Sequence, residues 1–417
     1  MKIQFFFNFF DRILKLGVPF FLSVLAAKSM DKDVFGVYAY ISMLITSSIV
    51  LIGGGVDTVF GKKIAENGKV ILHDFICYLF IRLFLSMILA SIILYHLINK
   101  FSIGNELFFI VLVLVLMLVF NFSEVVFASL MENKKLFVIT FMSALLFFPM
   151  KIYIFSVIGE YKYKFLIDVF EYVFILIISC FFVFKYVDFS FDYGGMIKSI
   201  KDLATKSFPL WLNCLLLMIY SRVDFIFVGN VADSEGIADY SIALNLNSVA
   251  LILPTVLLTV FFPKMVRWYN TNKIDYDQRM VVLIRVFIFY GVLWCFFCNF
   301  LGSYVVGFIY GEEYKTSSYY LNVLSLCIPF VMLGQLLGQH MIITLRYWVS
   351  IRRSVCGICF TFLSYFLFYD GISIKVIAFI SVANVFFVNF LLYLLMKDTK
   401  DIRCLMYRVF FKGYSNE

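Results

Sequence analysis

The sequence is poor in charge: 15% of its 417 residues are Asp, Glu, Lys or Arg, against about 25% in a soluble domain. It has only three histidines and six prolines. No polar stretch is long enough to build a soluble body, which excludes an ordinary globular enzyme. The net charge of +8 therefore does not indicate nucleic acid, because binding there needs a basic surface on such a body. Nine cysteines are present, but Cys295-x-x-Cys298 and Cys356-x-x-Cys359 lie inside apolar runs with no loop and no metal-ligand partner, so they read as small buried residues and no metal is expected. A phosphate-cradling loop with its lysine is missing, as is any nucleophile constellation, so neither ATP hydrolysis, a catalytic residue nor a cofactor is expected of this chain.

What the sequence has in excess is hydrophobicity, at 63% of residues with a mean hydropathy of +0.96. That is about 263 apolar residues, enough for roughly twelve membrane-spanning helices of about 20 residues each. Apolar runs bounded by charge lie near 7–28, 36–56, 75–98, 107–130, 136–158, 165–187, 208–229, 240–262, 281–301, 319–344, 347–369 and 374–396. The first is interrupted by Asp11, Arg12 and Lys15.

The basic residues alternate between the loops. One set holds 24 Lys and Arg, including Lys2, Arg12, Lys15, Lys62, Lys63, Arg352, Arg353 and Lys412; the other holds seven, Lys28, Lys32, Lys100, Lys162, Lys164, Lys315 and Lys375. The positive-inside bias predicts both termini in the cytoplasm. The outer loops are short, and the close carboxylate pair Asp31 and Asp33 in one of them is read as a solvated helix connection. A membrane polymerase or glycosyltransferase would want a longer outer loop carrying an acid/base side chain, so that class is disfavoured.

The inner connection at 188–207 separates two groups of six spans. The expected organisation is a six-helix bundle at 1–187, an amphipathic linker at 188–207, a second six-helix bundle at 208–396 and a basic tail at 397–417. A short repeat supports two halves: Phe35-Gly-Val-Tyr38 after span one and Ile237-Ala-Asp-Tyr240 after span seven, with Pro19 and Pro209 in the preceding spans. Repeated halves are common in secondary transporters.

At this point the residues resemble a known family. Phe208-Pro-Leu-Trp-Leu-Asn213, Ile219-Tyr-Ser-Arg-Val-Asp224, Leu253-Pro254, Phe262-Pro-Lys264 and Ile309-Tyr-Gly-Glu-Glu-Tyr314, with Phe35-Gly-x-Tyr38 and Gly61-Lys-Lys-Ile-Ala65 in the first half, look like the Wzx-type polysaccharide (O-antigen) flippases of the multidrug/oligosaccharidyl-lipid/polysaccharide (MOP) exporter superfamily. The resemblance covers about residues 10–396. It implies an all-α membrane fold of two six-helix bundles related by pseudo-two-fold symmetry, forming a V around a central cavity. It also implies a bacterial inner-membrane transporter that carries an oligosaccharide on undecaprenyl pyrophosphate to the periplasmic leaflet, with a polysaccharide polymerase and chain-length machinery as partners. A multidrug extruder of the same superfamily is the alternative.

An anionic glycan headgroup crossing hydrocarbon needs its water replaced by protein. Ionisable residues at membrane depth are costly and tend to face interior cavities. Arg82, Lys151 and Arg222 are the expected cationic contacts to pyrophosphate and sugar; Asn213, Tyr220, Asp224, Gln335 and Gln339 are the polar cavity candidates. Glu124, Asp168 and Glu171 are expected to act in coupling or as ion-pair partners. Helical geometry adds a constraint: Arg222 and Asp224 lie about 200° apart around their helix, so they cannot both face one cavity. Arg285, near an inner end, is expected to snorkel, and His340 is a weaker candidate for proton coupling.

Overall fold

The computed structural model describes residues 2–101, 104–189, 193–344, 346–368 and 372–411. The side chains at 2–8, Arg12, 193–195, 259–260, Pro263, Tyr347 and 410–411 are outside the description, as are Ser190 to Asp192 of the expected linker and Lys412 of the tail.

The described chain is helical almost throughout. Helices α1 (Lys2–Ser29), α2 (Lys32–Asn67), α3 (Leu72–Phe101), α4 (Asn105–Met117), α5 (Ser123–Ser129), α6 (Asn133–Tyr153) and α7 (Tyr161–Val183) come first. They are followed by α8 (Tyr193–Val231), α9 (Ser234–Thr271), α10 (Lys273–Ile309), α11 (Ser317–Ser325), α12 (Ile328–Ile343) and α13 (Tyr347–Leu367). The chain ends with α14 (Ile374–Phe386), α15 (Leu392–Leu395) and α16 (Lys400–Phe411). Two strands of two residues, β1 (Val70–Ile71) and β2 (Val187–Asp188), pair in parallel.

Nine helical segments of the described residues are long and apolar enough to cross a membrane, and the bent pair α11 and α12 makes ten. The other two expected spans are present as helices, α1 and α13. Neither passes on composition, because Asp11, Arg12 and Lys15 interrupt the first and Arg352 and Arg353 the second. Exposed faces are aromatic: Phe296, Phe300, Tyr304 and Phe308, spaced four apart on α10, are 58–81% exposed. A stripe of that kind would drive aggregation in water and is at home in lipid.

The chain divides into two compact units, 1–218 and 219–417. Residues 193–207 of the expected amphipathic linker form the beginning of α8, and the boundary between the units falls within that helix, after Met218. In the first unit the core forms around Phe60, Phe75, Tyr78, Phe122 and Phe127, with the Phe60 and Tyr78 rings stacked at 4.2 Å. One end of it is tied by charge. Lys63 reaches Asp74 at 3.1 Å and Asp202 at 3.5 Å, and Lys206 reaches Asp202 at 2.6 Å. The Lys206 hydrogen bond holds the Asp202 carboxyl below the usual carboxylate range.

In the second unit α16 docks through Ile402, Leu405 and Met406. Arg285 does not reach for lipid headgroups: its Nε donates to the Val409 carbonyl at 3.2 Å and a terminal nitrogen to that of Arg408 at 3.0 Å.

Candidate functional site

α2 does not run straight. Gly54 has non-helical backbone angles, and the first part of α8 presses into the break. Trp211 Nε1 donates at 2.9 Å to the carbonyl of Leu51, which a regular helix would pair with the N–H of residue 55. Beyond the break stands Asp57, inside the helix. It accepts from an Arg82 terminal nitrogen at 2.8 Å and from the Tyr78 hydroxyl at 2.9 Å. The other terminal nitrogen of Arg82 donates at 2.9 Å to the carbonyl of Leu118, where the 3-10 turn Leu118–Phe120 interrupts the helical ladder between α4 and α5. Arg82 is 1% exposed, so here its charge is spent on tying α2, α3 and the break after α4 together. Glu124, on α5, is half exposed and pairs at 3.1 Å with Lys15, which also holds Asp11 at 3.0 Å.

Lys151 is likewise enclosed, between α6 and α7. It pairs with Asp168 at 2.8 Å and with Glu171, while Lys164 holds Asp168 at 2.6 Å and Ser143 donates to Glu171. Two ammonium groups and two carboxylates balance. Lys164 had been counted with the outer loops; it is a largely enclosed partner in this cluster.

The second part of α8 separates Arg222 from Asp224 as the helical angle requires. Asp224 is buried and accepts from the Tyr240 hydroxyl at 2.8 Å, the Ser381 hydroxyl at 3.1 Å and the backbone N–H of Phe225 at 2.8 Å. Arg222 is exposed and has neither hydrogen bond nor ion pair among the described residues. It stands nine residues before the end of α8, about 13 Å at 1.5 Å per residue. Asp224→Ala would strand three donors, and we expect it to lower the stability of the detergent-solubilised protein by about 1–3 kcal/mol. An unchanged melting temperature would refute that accounting.

Tyr220 faces inward too, its hydroxyl accepting from Asn389 at 3.1 Å. Asn213 and Gln335 are half-buried, and each has a side-chain oxygen with no hydrogen-bond partner among the described residues. Gln339 lies one turn beyond Gln335, and next to it Gly338 has open space where a Cβ would stand. Gly334 is different: a Cβ there would overlap the Asn389 amide, so that glycine serves helix packing.

His340 is 3% exposed with both ring nitrogens engaged, one with the Tyr276 hydroxyl at 2.7 Å and the other with Asp401 at 2.8 Å. Arg346 also grips Asp401. Burial resists ionisation of Asp401, but the Arg346 and His340 hydrogen bonds outweigh it and hold the carboxyl well below its usual range. Stability gained from this ion is thus complete above the ordinary aspartate value of about 4 and lost only as pH falls through the lower folded value. Asp401 is about a third exposed, which limits the effect to roughly 0.5–1 kcal/mol. The melting gap between wild type and Asp401→Asn should therefore persist from pH 8 to pH 5 and close in stronger acid; a gap that vanishes by pH 5 would contradict it.

Two residues escaped the sequence reading. Asp57, which the sequence offered no reason to single out, stands three residues after Gly54, in the helix beyond the kink. Arg353 was assigned to an inner loop, yet it is 6% exposed on α13; Gly357, one turn on, was the available signal of a packed face.

Helices arranged in this way define a multi-pass, all-helical membrane protein of the MOP superfamily fold. The chain is similar to the lipid II flippase MurJ in an inward closed conformation, at 16% identity and a TM-score of 0.69 over 94% of this chain and 87% of that one. It is also similar to an inward-facing multidrug resistance MATE family transporter of the MOP superfamily, at 12% identity and a TM-score of 0.67 over 95% of each. Residues 27–319 match the family described as polysaccharide biosynthesis protein, and the chain belongs to that family. Among curated relatives, the capsular polysaccharide biosynthesis protein CapF of Staphylococcus aureus is 22% identical over 406 residues, 93% of this chain and 98% of the relative.

Proposed function

We propose that the protein is a flippase for undecaprenyl-pyrophosphate-linked oligosaccharide, carrying a repeat unit of a surface polysaccharide, of O-antigen or capsular type, from the cytoplasmic to the outer leaflet of a bacterial inner membrane by alternating access. The observation that carries this reading is Arg222, a guanidinium at membrane depth that is exposed and unpaired among the described residues. A charge so placed is expensive unless it serves transport, and arginine matches phosphoryl oxygens with two parallel donors. Gln335 and Gln339, in the same unit as Arg222, supply amides for sugar hydroxyls. Arg82 and Lys151 act by holding their helices, through Asp57 and through Asp168 with Glu171, and Glu124 pairs with Lys15.

Membrane potential favours the proposed direction. With the inside negative, each negative charge carried outward gains about 2.3 kcal/mol per 100 mV. The loop charges support that orientation: with the ion-paired Lys164 and the buried Arg353 left out of the loops, 23 basic residues against six lie on the side of both termini, the side expected to face the cytoplasm.

Reconstitution tests the reading. Proteoliposomes loaded with a labelled lipid-linked oligosaccharide on one face should expose label to an added glycosidase on the other face at a rate proportional to protein content. Vesicles that show no rise over protein-free controls, or that move organic cations and no lipid-linked glycan, would overturn it.

A further inference from the structure

The second unit contains a buried cation that no carboxylate answers. Arg353 donates through Nε to the Val388 carbonyl at 3.0 Å, through one terminal nitrogen to the Asn389 side-chain oxygen at 2.8 Å and through the other to the Tyr393 hydroxyl, whose ring lies under the guanidinium at 3.9 Å. All its partners are neutral, and among the described residues none of its ion-pair distances reaches a carboxylate; neighbouring Arg352 takes Asp398 instead, at 2.7 Å. Removing a guanidinium from water without a counter-charge destabilises a fold. A methionine or glutamine would fill the same volume without that cost.

The surroundings are built around this charge. The π-helical turn Phe387–Leu391 interrupts the ladder between α14 and α15 at the two residues, Val388 and Asn389, that the guanidinium contacts, and such turns concentrate at functional sites. Two glycines admit the neighbours. A Cβ at Gly357 would come within 2.6 Å of the Val388 side chain and 2.9 Å of the Tyr220 ring, and one at Gly334 would overlap Asn389. The Asn389 amide then bonds Tyr220, two residues before Arg222 on α8.

We infer that Arg353 is a second anion-recognition residue, for the phosphoryl oxygens of the lipid-linked substrate, with the Asn389 oxygen and the Tyr393 hydroxyl as the neutral acceptors that a phosphoryl group replaces. This rests on the anionic-lipid reading above and extends it to a residue of α13 that is linked to α8 through Asn389 and Tyr220. Exchange of neutral acceptors for a charged one strengthens every hydrogen bond the guanidinium makes, so the site favours anionic headgroups over neutral ones.

The test uses Asn389→Asp. A carboxylate at that position accepts from Arg353 and from the Tyr220 hydroxyl, so the fold is kept or strengthened while the cation is permanently occupied. The full chain in detergent is melted with farnesyl pyrophosphate as the probe and farnesol as the neutral control. Wild type should be stabilised by farnesyl pyrophosphate and not by farnesol. The variant should melt at or above the wild-type temperature, yet need at least about tenfold more pyrophosphate for half the effect, equivalent to 1.4 kcal/mol of binding, and should lose transport in vesicles. An Asn389→Asp protein that binds the probe as wild type does overturns the role of Arg353 and leaves the reading of Arg222 intact. A wild type that ignores farnesyl pyrophosphate overturns the anionic-lipid reading itself. If the variant does not fold, Arg353→Lys, expected to keep the response in weakened form, is compared with Arg353→Gln, expected to lose it; equal responses again refute the role.

Discussion

Arg222→Ala is expected to lower the rate of lipid-linked oligosaccharide translocation by about one to two orders of magnitude, the loss of a charge-assisted hydrogen bond to substrate worth roughly 1.5–3 kcal/mol, at unchanged protein level and melting temperature. Stability should not move, because the side chain is exposed and has no partner to leave stranded. Arg222→Lys keeps the charge but not the forked pair of donors, and should retain part of the rate. Its neighbour gives the control. Asp224→Ala, two residues along, should act on stability, since its carboxylate is held by three donors inside the second unit. Measured in proteoliposomes alongside a melting curve, the two variants should separate cleanly. Normal translocation by Arg222→Ala would remove this residue from the mechanism.

Gly55→Val should prevent the first unit from folding. A Cβ at Gly55 would lie 2.5 Å from the Leu210 Cβ and 2.6 Å from the Trp211 backbone nitrogen, and closer still to the Ser207 carbonyl. Backbone atoms cannot step aside as a side-chain tip can, so α8 would have to withdraw from the break in α2. With it would go the Trp211 bond to Leu51 and the packing of Asp57 beyond the kink. Overpacking within a closed interface typically costs about 1–3 kcal/mol, and more when the obstruction is backbone, a large share of the total stability of a typical protein. Monodisperse protein at wild-type yield on size-exclusion chromatography would refute this. Gly338→Ala is the matching control, because nothing lies within 4 Å of a Cβ there.

Some of this could be read from residue types and spacing. The apolar runs located every long helix, including α1 and α13, whose charges keep them below a simple hydropathy criterion. The two-residue offset between Arg222 and Asp224 foretold their opposite faces, whereas Lys151, expected to contact pyrophosphate, pairs instead with Asp168 and Glu171. The helix breaks were not legible. Gly54, Leu118–Phe120 and Phe387–Leu391 each release backbone groups, but which side chain takes them up depends on helices distant in sequence: Trp211 for Leu51, Arg82 for Leu118 and Arg353 for Val388. Asp57 and Arg353 were missed for the same reason, since their partners lie 21 to 40 residues away.

Sequence alone thus determined that this chain lives in a membrane, where along it the long apolar helices run and how the basic residues alternate between its loops. Those are local properties, set by the cost of placing each residue in hydrocarbon or water. Only the tertiary structure decided which intramembrane charges are neutralised and which are not. Whether a guanidinium is paired depends on the three-dimensional neighbours that packing brings to it, and a count of Arg82, Lys151, Arg222 and Arg353 along the chain treats as alike four cations that the fold makes different.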